Sequence, residues 1–365
     1  MRMQFTHTTL GQRVLFGAGQ SAVFVSAELS RLQQRRPLVI ATSRHQVEAA
    51  HVVEAAGPVQ VWGDVVQHVP VGTADAATSA ATDAGADVVI CIGGGSATGL
   101  AKAVALNTGL PVIAVPTTYS GSEATNMWGI TTDRTKTTGV DDVVLPTTVI
   151  YDADLSIGLP VDVSIASGLN AMAHSVDSLW APRANPINGA LALEAARALN
   201  VALRGIVADP GDLASREMAL YGCYLSAVAF AGAGSGLHHK ICHVLGGTFD
   251  LPHAQTHAVV LPHVLQLNAP GAVDVVHRLA TALATDDTPH NPESTATAAL
   301  LALYEAVDAP VRLSDYGFDE AGIPDATDRI LRVAPPSNPV HVTADNIGEL
   351  LAAARAGRPA PALSN

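Results

Sequence analysis

Short β-rich runs punctuate the first 150 residues of this 365-residue chain and then stop. Residues 37–42 (PLVIAT), 59–63 (VQVWG), 87–92 (DVVICI) and 111–115 (PVIAV) alternate with Ala-rich stretches such as 44–56 and 73–85, which suit helices. Alternation of this kind predicts βαβ units and a parallel sheet. Beyond Leu159 the segments near 160–182, 187–207, 212–233, 256–268, 271–284 and 293–308 are long and rich in Ala and Leu, which predicts helices. The expected fold is an α/β domain with a parallel sheet over residues 1–158 followed by an all-α domain over 159–365. The Pro-rich end after Ala334 reads as an irregular tail around one short helix at 344–356.

The sheet half carries a turn that suits a phosphate. The strand DVVICI runs into Gly93-Gly94-Gly95-Ser96 and then a helix beginning near Ala97. Glycines let backbone amides approach an anion without Cβ clashes, and the helix N-terminus adds partial positive charge, so a dinucleotide pyrophosphate fits here. The pattern is neither GxGxxG nor a Walker loop. Its place at the carboxyl end of a parallel strand is what favours the phosphate. The next strand leads into a hydroxyl-rich loop, where Thr117, Thr118, Ser120 and Ser122 can hold ribose and nicotinamide carboxamide. The chain has only three lysines, Lys102, Lys136 and Lys240, each in a segment singled out on other grounds, and Lys136 stands where a cation could reach a nucleotide ribose or phosphate.

The helical half carries the histidines. Six of the fourteen lie between His238 and His263. A helix over 235–246 puts His239 and His243 on one face, and Pro252 forces a break that presents His253 at a helix entrance. Asn170 and His174 repeat the i, i+4 spacing on another apolar helix. Three imidazoles and an amide can therefore converge from three segments, as in a metal or catalytic pocket. His257 and His263 read as structural, with Pro262 interrupting their helix, and His68 as a possible cofactor-loop residue. Cys242 lies off the face shared by His239 and His243.

Composition narrows the partners. A 48% apolar chain with net charge −13 can bury a large core and does not suit nucleic acid or an anionic membrane. No run of about 18 apolar residues appears, and MRMQFTHTTLGQRVLFG lacks a signal-peptide core, so a soluble cytoplasmic protein is expected. Cys91, Cys223 and Cys242 are widely spaced and odd in number, which predicts reduced thiols. The stretch 14–16 reads as an edge strand that could pair across a homodimer.

The motifs GGGS…AK, PTT…GSE, a lone Lys before VLPTTVIYD, a polar residue four before His on a helix, and HHKICHVLGGTFDLPHAQTHAVVLPH occur in that order. Together, over roughly residues 10–357, they resemble the iron-containing alcohol dehydrogenase family. That resemblance implies a nucleotide-binding α/β domain, a helical catalytic domain of the kind also found in dehydroquinate synthase, and an NADH- or NADPH-dependent oxidoreductase. The spellings SGLNAMAHSVDSLWAPRANPI and GLHHKICHVLGGTFDLPHA resemble members that reduce a dicarboxylate, maleylacetate, to 3-oxoadipate in the degradation of aromatic compounds.

Three departures from the metal-dependent members bear on chemistry. Where those members hold iron or zinc with an Asp and three histidines, this chain has Asn170 with His174, His239 and His253. An amide removes one negative charge from that shell, so a divalent metal is expected to bind weakly and not to be required. The unneutralised imidazoles, with Lys240 and His243 nearby, favour an anionic substrate, for which Asn170 and Lys240 are candidate binders. Gly99 replaces an Asp of GGGSxxD. Thr42 replaces an acidic residue common in NAD-selective members, so both NADH and NADPH are expected. The reaction expected is hydride addition to the alkene, with N–H groups of His174, His239 or His253 stabilising an enolate oxygen and His243 as acid. The alternative is a metal-dependent alcohol or polyol dehydrogenase on the same fold. A phosphorus-oxygen lyase related to dehydroquinate synthase fits the PTT loop and HHKICH poorly, and a non-catalytic nucleotide sensor has no use for His243.

Overall fold

Burial on both faces selects the strands of the sheet. In the computed structural model, which describes residues 3–42, 50–55, 57, 60–132, 135–284 and 295–358 without the side chains of 53, 135 and 136, four strands are buried at every position. Among them are β4 (Val88–Gly93) and β5 (Val112–Pro116), as continuous apolar runs in a parallel sheet should be. With β1 (Arg13–Phe16), β2 (Pro37–Ala41), β3 (Gln60–Trp62) and β8 (Thr148–Tyr151) they form a parallel six-stranded sheet in the order β1-β8-β5-β4-β2-β3. The four strands expected from the β-rich runs are present within a residue or two of their expected ends. The stretch 14–16 is an edge strand, paired on one side with β8.

An antiparallel hairpin, β6 (Met127–Thr132) and β7 (Thr135–Val140), was not expected from the sequence, nor was β8. Their β-branched, Thr-rich runs alternate too weakly to stand out from a polar loop. The helix expected over 44–56 is seen at Ala50–Ala55, its earlier part lying outside the described residues.

The helical half matches the expected segments: Val161–Ser178, Pro186–Ala208, Leu213–Ala233, Leu237–Phe249, His253–Asn268, Val273–Ala282, Ala296–Ala306 and Ala344–Ala356. The tail after Ala334 holds the one expected helix, but a further helix, Ile323–Val333, precedes it with Pro324 in its first turn, where proline is tolerated. Pro262 does not interrupt the helix His253–Asn268, which runs through it. The buried apolar faces of Leu237–Phe249, His253–Asn268, Ile323–Val333 and Ala344–Ala356 share one core, containing Ile241, Leu245, Val260, Val264, Ile330 and Leu351. No single helix among the described residues is long and apolar enough to cross a membrane. Cys91, Cys223 and Cys242 are buried and outside any disulfide.

The chain forms two compact units that depart from a single cut at 158/159. Residues 9–159 and 211–220 make the sheet unit, and residues 1–8, 160–210 and 221–365 the helical one. Arg216 accounts for the short exchange: wholly buried, it donates to the Tyr119 hydroxyl (3.1 Å) and to the Leu159 carbonyl (3.2 Å).

Lys102 ties the sheet unit together. Its ammonium, 1% exposed on the helix Gly95–Thr108, donates to the carbonyls of Thr125 (2.7 Å) and Met127 (2.8 Å) and to Thr125 Oγ1 (3.1 Å). Burial pulls its pKa down to about 7, while Glu123 opposes that shift. Lys102→Met should strand these buried acceptors and lower stability by about 2–4 kcal/mol, read as a fall in the urea midpoint at pH 7. An unchanged midpoint would show that the three bonds do not hold the hairpin's entry.

Candidate active site

Two constellations emerge, one in each unit. In the sheet unit, Gly93 of β4 sits in register with Pro116 of β5, so the GGGS turn and the PTT loop leave neighbouring strand ends side by side. The Thr117 N–H donates to the Gly93 carbonyl (3.0 Å). Gly93 has φ +148°, a conformation that favours glycine. A Cβ at Gly94 would lie 2.9 Å from Thr118 Cγ2, and one at Gly95 would lie 3.2 Å from Ser120 Cβ. Glycine here thus serves the close approach of the hydroxyl loop. Gly94 caps the helix Gly95–Thr108 without any side-chain hydrogen bond, leaving first-turn amides for an anion. Ser96 is in that first turn, and Ser122 donates its N–H to Ser120 Oγ at 3.5 Å. Thr42 follows the end of β2 and is half-buried. Lys136 lies in β7 opposite Thr131, and its side chain is outside the described residues. His68 and Val69 adopt left-handed φ of 64° and 49°, and Val69 Cγ2 would be 3.0 Å from a Cβ at Gly99. A side chain at position 99 would therefore crowd Val69.

In the helical unit, the helix Leu237–Phe249 ends just before the turn into His253–Asn268, whose N-cap is Pro252. His253 thus stands at the helix entrance, as expected. The His174 and His239 rings stack at 5.0 Å with planes 11° apart, and His243 lies 6.3 Å from His239. Asn170 is 2% exposed one turn before His174, while His243 and His253 are exposed. The expected amide and four histidines are grouped, but the cluster is larger. His257 packs 4.8 Å from His239 and 4.4 Å from His253, and Phe230 covers His239 at 4.1 Å. His257, expected to be structural, is buried and lies on the same helix face as His253, four residues earlier. His263 fits that reading better, buried with its pKa lowered by burial to about 4.

Behind this face, His238 Nε2 and His257 Nδ1 are 3.0 Å apart, with Cys242 Sγ 3.6 Å from His238 Nε2. These three could offer ligand atoms. Two nitrogens across a tetrahedral zinc would sit about 3.3 Å apart, so 3.0 Å reads as a hydrogen bond between neutral rings. Burial lowers His174 to about 4, with His243 adding to the shift, and lowers His238 to about 3.

Sequence reasoning did not single out Asp177. It lies three residues after His174 on the helix Val161–Ser178 and is wholly buried. It accepts from the Gly236 N–H (2.8 Å), His238 N–H (3.3 Å), His239 N–H (3.5 Å) and pairs with His239 Nδ1 (2.7 Å). Burial raises its pKa to about 7 against those backbone bonds. The available signal was its i+3 spacing from His174 and i+7 from Asn170. Lys240 faces elsewhere: it lines a cavity of about 360 Å³ with Arg183, Arg332, Ser235 and Pro335, and no histidine of the cluster lines it.

Comparison with known proteins agrees with this layout. The family described as "Iron-containing alcohol dehydrogenase" matches residues 11–153, and "Fe-containing alcohol dehydrogenase family, C-terminal" matches 164–355. A maleylacetate reductase from Sphingobium indicum is 44% identical, covering 98% of this chain and 99% of its own. The solved iron-containing alcohol dehydrogenase from Corynebacterium glutamicum is 52% identical with a TM-score of 0.92, over 97% of this chain and 98% of that one. The maleylacetate reductase from Agrobacterium tumefaciens is 37% identical with a TM-score of 0.91, over 98% and 100%.

Gly94→Ala should push the Thr118 loop away and raise the dissociation constant for NADH at least tenfold, about 1.4 kcal/mol, in a fluorescence titration. Unaltered affinity would separate the GGGS turn from the cofactor.

Proposed function

This chain belongs to the iron-containing alcohol dehydrogenase family, and from that premise we propose that it reduces maleylacetate to 3-oxoadipate with NADH or NADPH. The observation that carries this reading is 44% identity to a maleylacetate reductase over nearly the whole of both chains. The donor set is compatible with it, since Asn170 offers an amide where a carboxylate would repel a dicarboxylate.

Gly93, Gly94, Gly95 and Ser96 would hold the pyrophosphate, and Thr117, Thr118, Ser120 and Ser122 the ribose and carboxamide, with Lys136 as a further cation. Bound NADH or NADPH supplies the hydride. Hydride adds to the alkene carbon next to the carboxylate, the double bond shifts, and the ketone becomes an enolate. Imidazole N–H groups at the cluster stabilise that oxygen in a buried, low-dielectric setting. His243, exposed one turn from His239, then delivers a proton to the carbon between, which restores the ketone. Lys240, expected from the sequence as a substrate binder, lines a separate cavity with Arg183 and Arg332 and is not assigned to the substrate at the cluster.

A divalent ion fits the residues present. Nε2 of His239 is buried without a hydrogen-bond partner, and Asn170, His174, His239 and His253 would hold the ion, which would polarise the substrate carbonyl. With a neutral amide in place of a carboxylate, such an ion should exchange readily. We also propose a homodimer joined through the outer edge of β1, where Phe16 is 43% exposed.

NADH oxidation at 340 nm with maleylacetate, before and after chelator dialysis, tests the reading. Turnover that survives chelation is expected; activity seen only with added Fe²⁺ or Zn²⁺ on simple alcohols would move the chain to the metal-dependent alcohol dehydrogenases. His243→Ala should lower kcat by about 10²–10⁴, and a loss below threefold would remove it as the acid. Affinities for NADH and NADPH should agree within about a thousandfold, roughly 4 kcal/mol.

A further inference from the structure

We infer that Asp177 is a positioning residue, whose carboxylate takes the Nδ1–H of His239 and so presents that ring's Nε2 lone pair to the histidine cluster. The role assigned to the cluster rests on the reductase reading above; the geometry of the pair does not.

Both oxygens of Asp177 already accept backbone N–H groups. Oδ2 takes those of Gly236 and His239, and Oδ1 takes that of His238. A hydroxyl proton on Oδ2 would compete with two N–H donors for the same oxygen, so this carboxylate is built to accept from His239 Nδ1. The local sequence is shaped around it: a Cβ at Gly236 would collide with the carboxylate, so only glycine lets the helix Leu237–Phe249 begin there. With its proton on Nδ1, neutral His239 is an acceptor at Nε2, an atom that is buried and has no hydrogen-bond partner among the described residues. That removes His239 from the N–H donors expected for the enolate oxygen and leaves the task to His174 and His253. His239 instead offers a lone pair, to a substrate or water O–H or to a divalent ion. If Asp177 only capped the helix, the tautomer of His239 would not depend on it.

Nitrogen-15 NMR of histidine-labelled full-length protein reads the tautomer directly, with His239 assigned by its loss in His239→Gln. The expected result is a protonated Nδ1 and a bare or metal-bound Nε2. Asp177→Asn keeps an acceptor for the Gly236 N–H but removes the charge, and should raise the Nε2–H fraction and lower kcat at least tenfold with KM within threefold. Asp177→Ala should do more of both if it folds. A wild-type ring protonated at Nε2, or Asp177→Asn with tautomer and kcat unchanged, overturns the assignment. Because the NMR needs no substrate, failure to turn over maleylacetate alongside the expected tautomer would count against the reductase reading and leave Asp177 in place.

Discussion

A single buried carboxylate joins the two helices on which the candidate chemistry stands. Asp177 leaves Val161–Ser178 on the same side as His174 and ends in the first turn of Leu237–Phe249, where it occupies the position of an N-cap that Gly236 cannot supply. A capping side chain normally comes from the same helix and is worth about 1 kcal/mol. Supplied from another helix, it also fixes how the His174 and His239 rings meet, which is why they stack at 5.0 Å. An unpaired carboxylate in this position would be costly, so the backbone amides and His239 are conditions for its burial.

The sheet unit solves a comparable problem with backbone. Phosphate recognition requires amides that no side chain obstructs, and the Gly93 and Pro116 register brings a second loop against that turn. Room is then made by omission, with Gly94 yielding to Thr118, Gly95 to Ser120 and Gly99 to Val69. Gly99 is therefore read better as a packing requirement of a left-handed Val69 than as a device for lowering negative charge near the cofactor.

Much of this was legible in the sequence. Apolar runs such as VVICI and VIAVP announce buried parallel strands because burial on both faces leaves no polar alternation, and Pro252 placed His253 correctly because proline suits the position just before a helix. The β6–β7 hairpin was missed because its Thr-rich strands carry little apolar signal. The packing of His257 against His239 was not legible, because periodicity within one helix says which residues share a face but not what that face meets. Asp177 was missed for a related reason. An acid in an apolar helix shows its importance only through donors 59 to 62 residues away, and no local pattern points to them.

The same burial that positions the histidines also sets their charge. His174, His238, His239 and His257 are all shifted downward chiefly by desolvation, so these buried rings favour the neutral form. Long-range attraction for an anion must then come from cations such as Lys240, Arg183 and Arg332, in a chain whose net charge is −13. Once a dicarboxylate arrives, the balance changes. Its negative charge favours protonation of any nearby imidazole, opposing the burial that kept the rings neutral. Buried imidazoles that favour the neutral form avoid the cost of a buried cation and leave their ring nitrogens to hydrogen bonding.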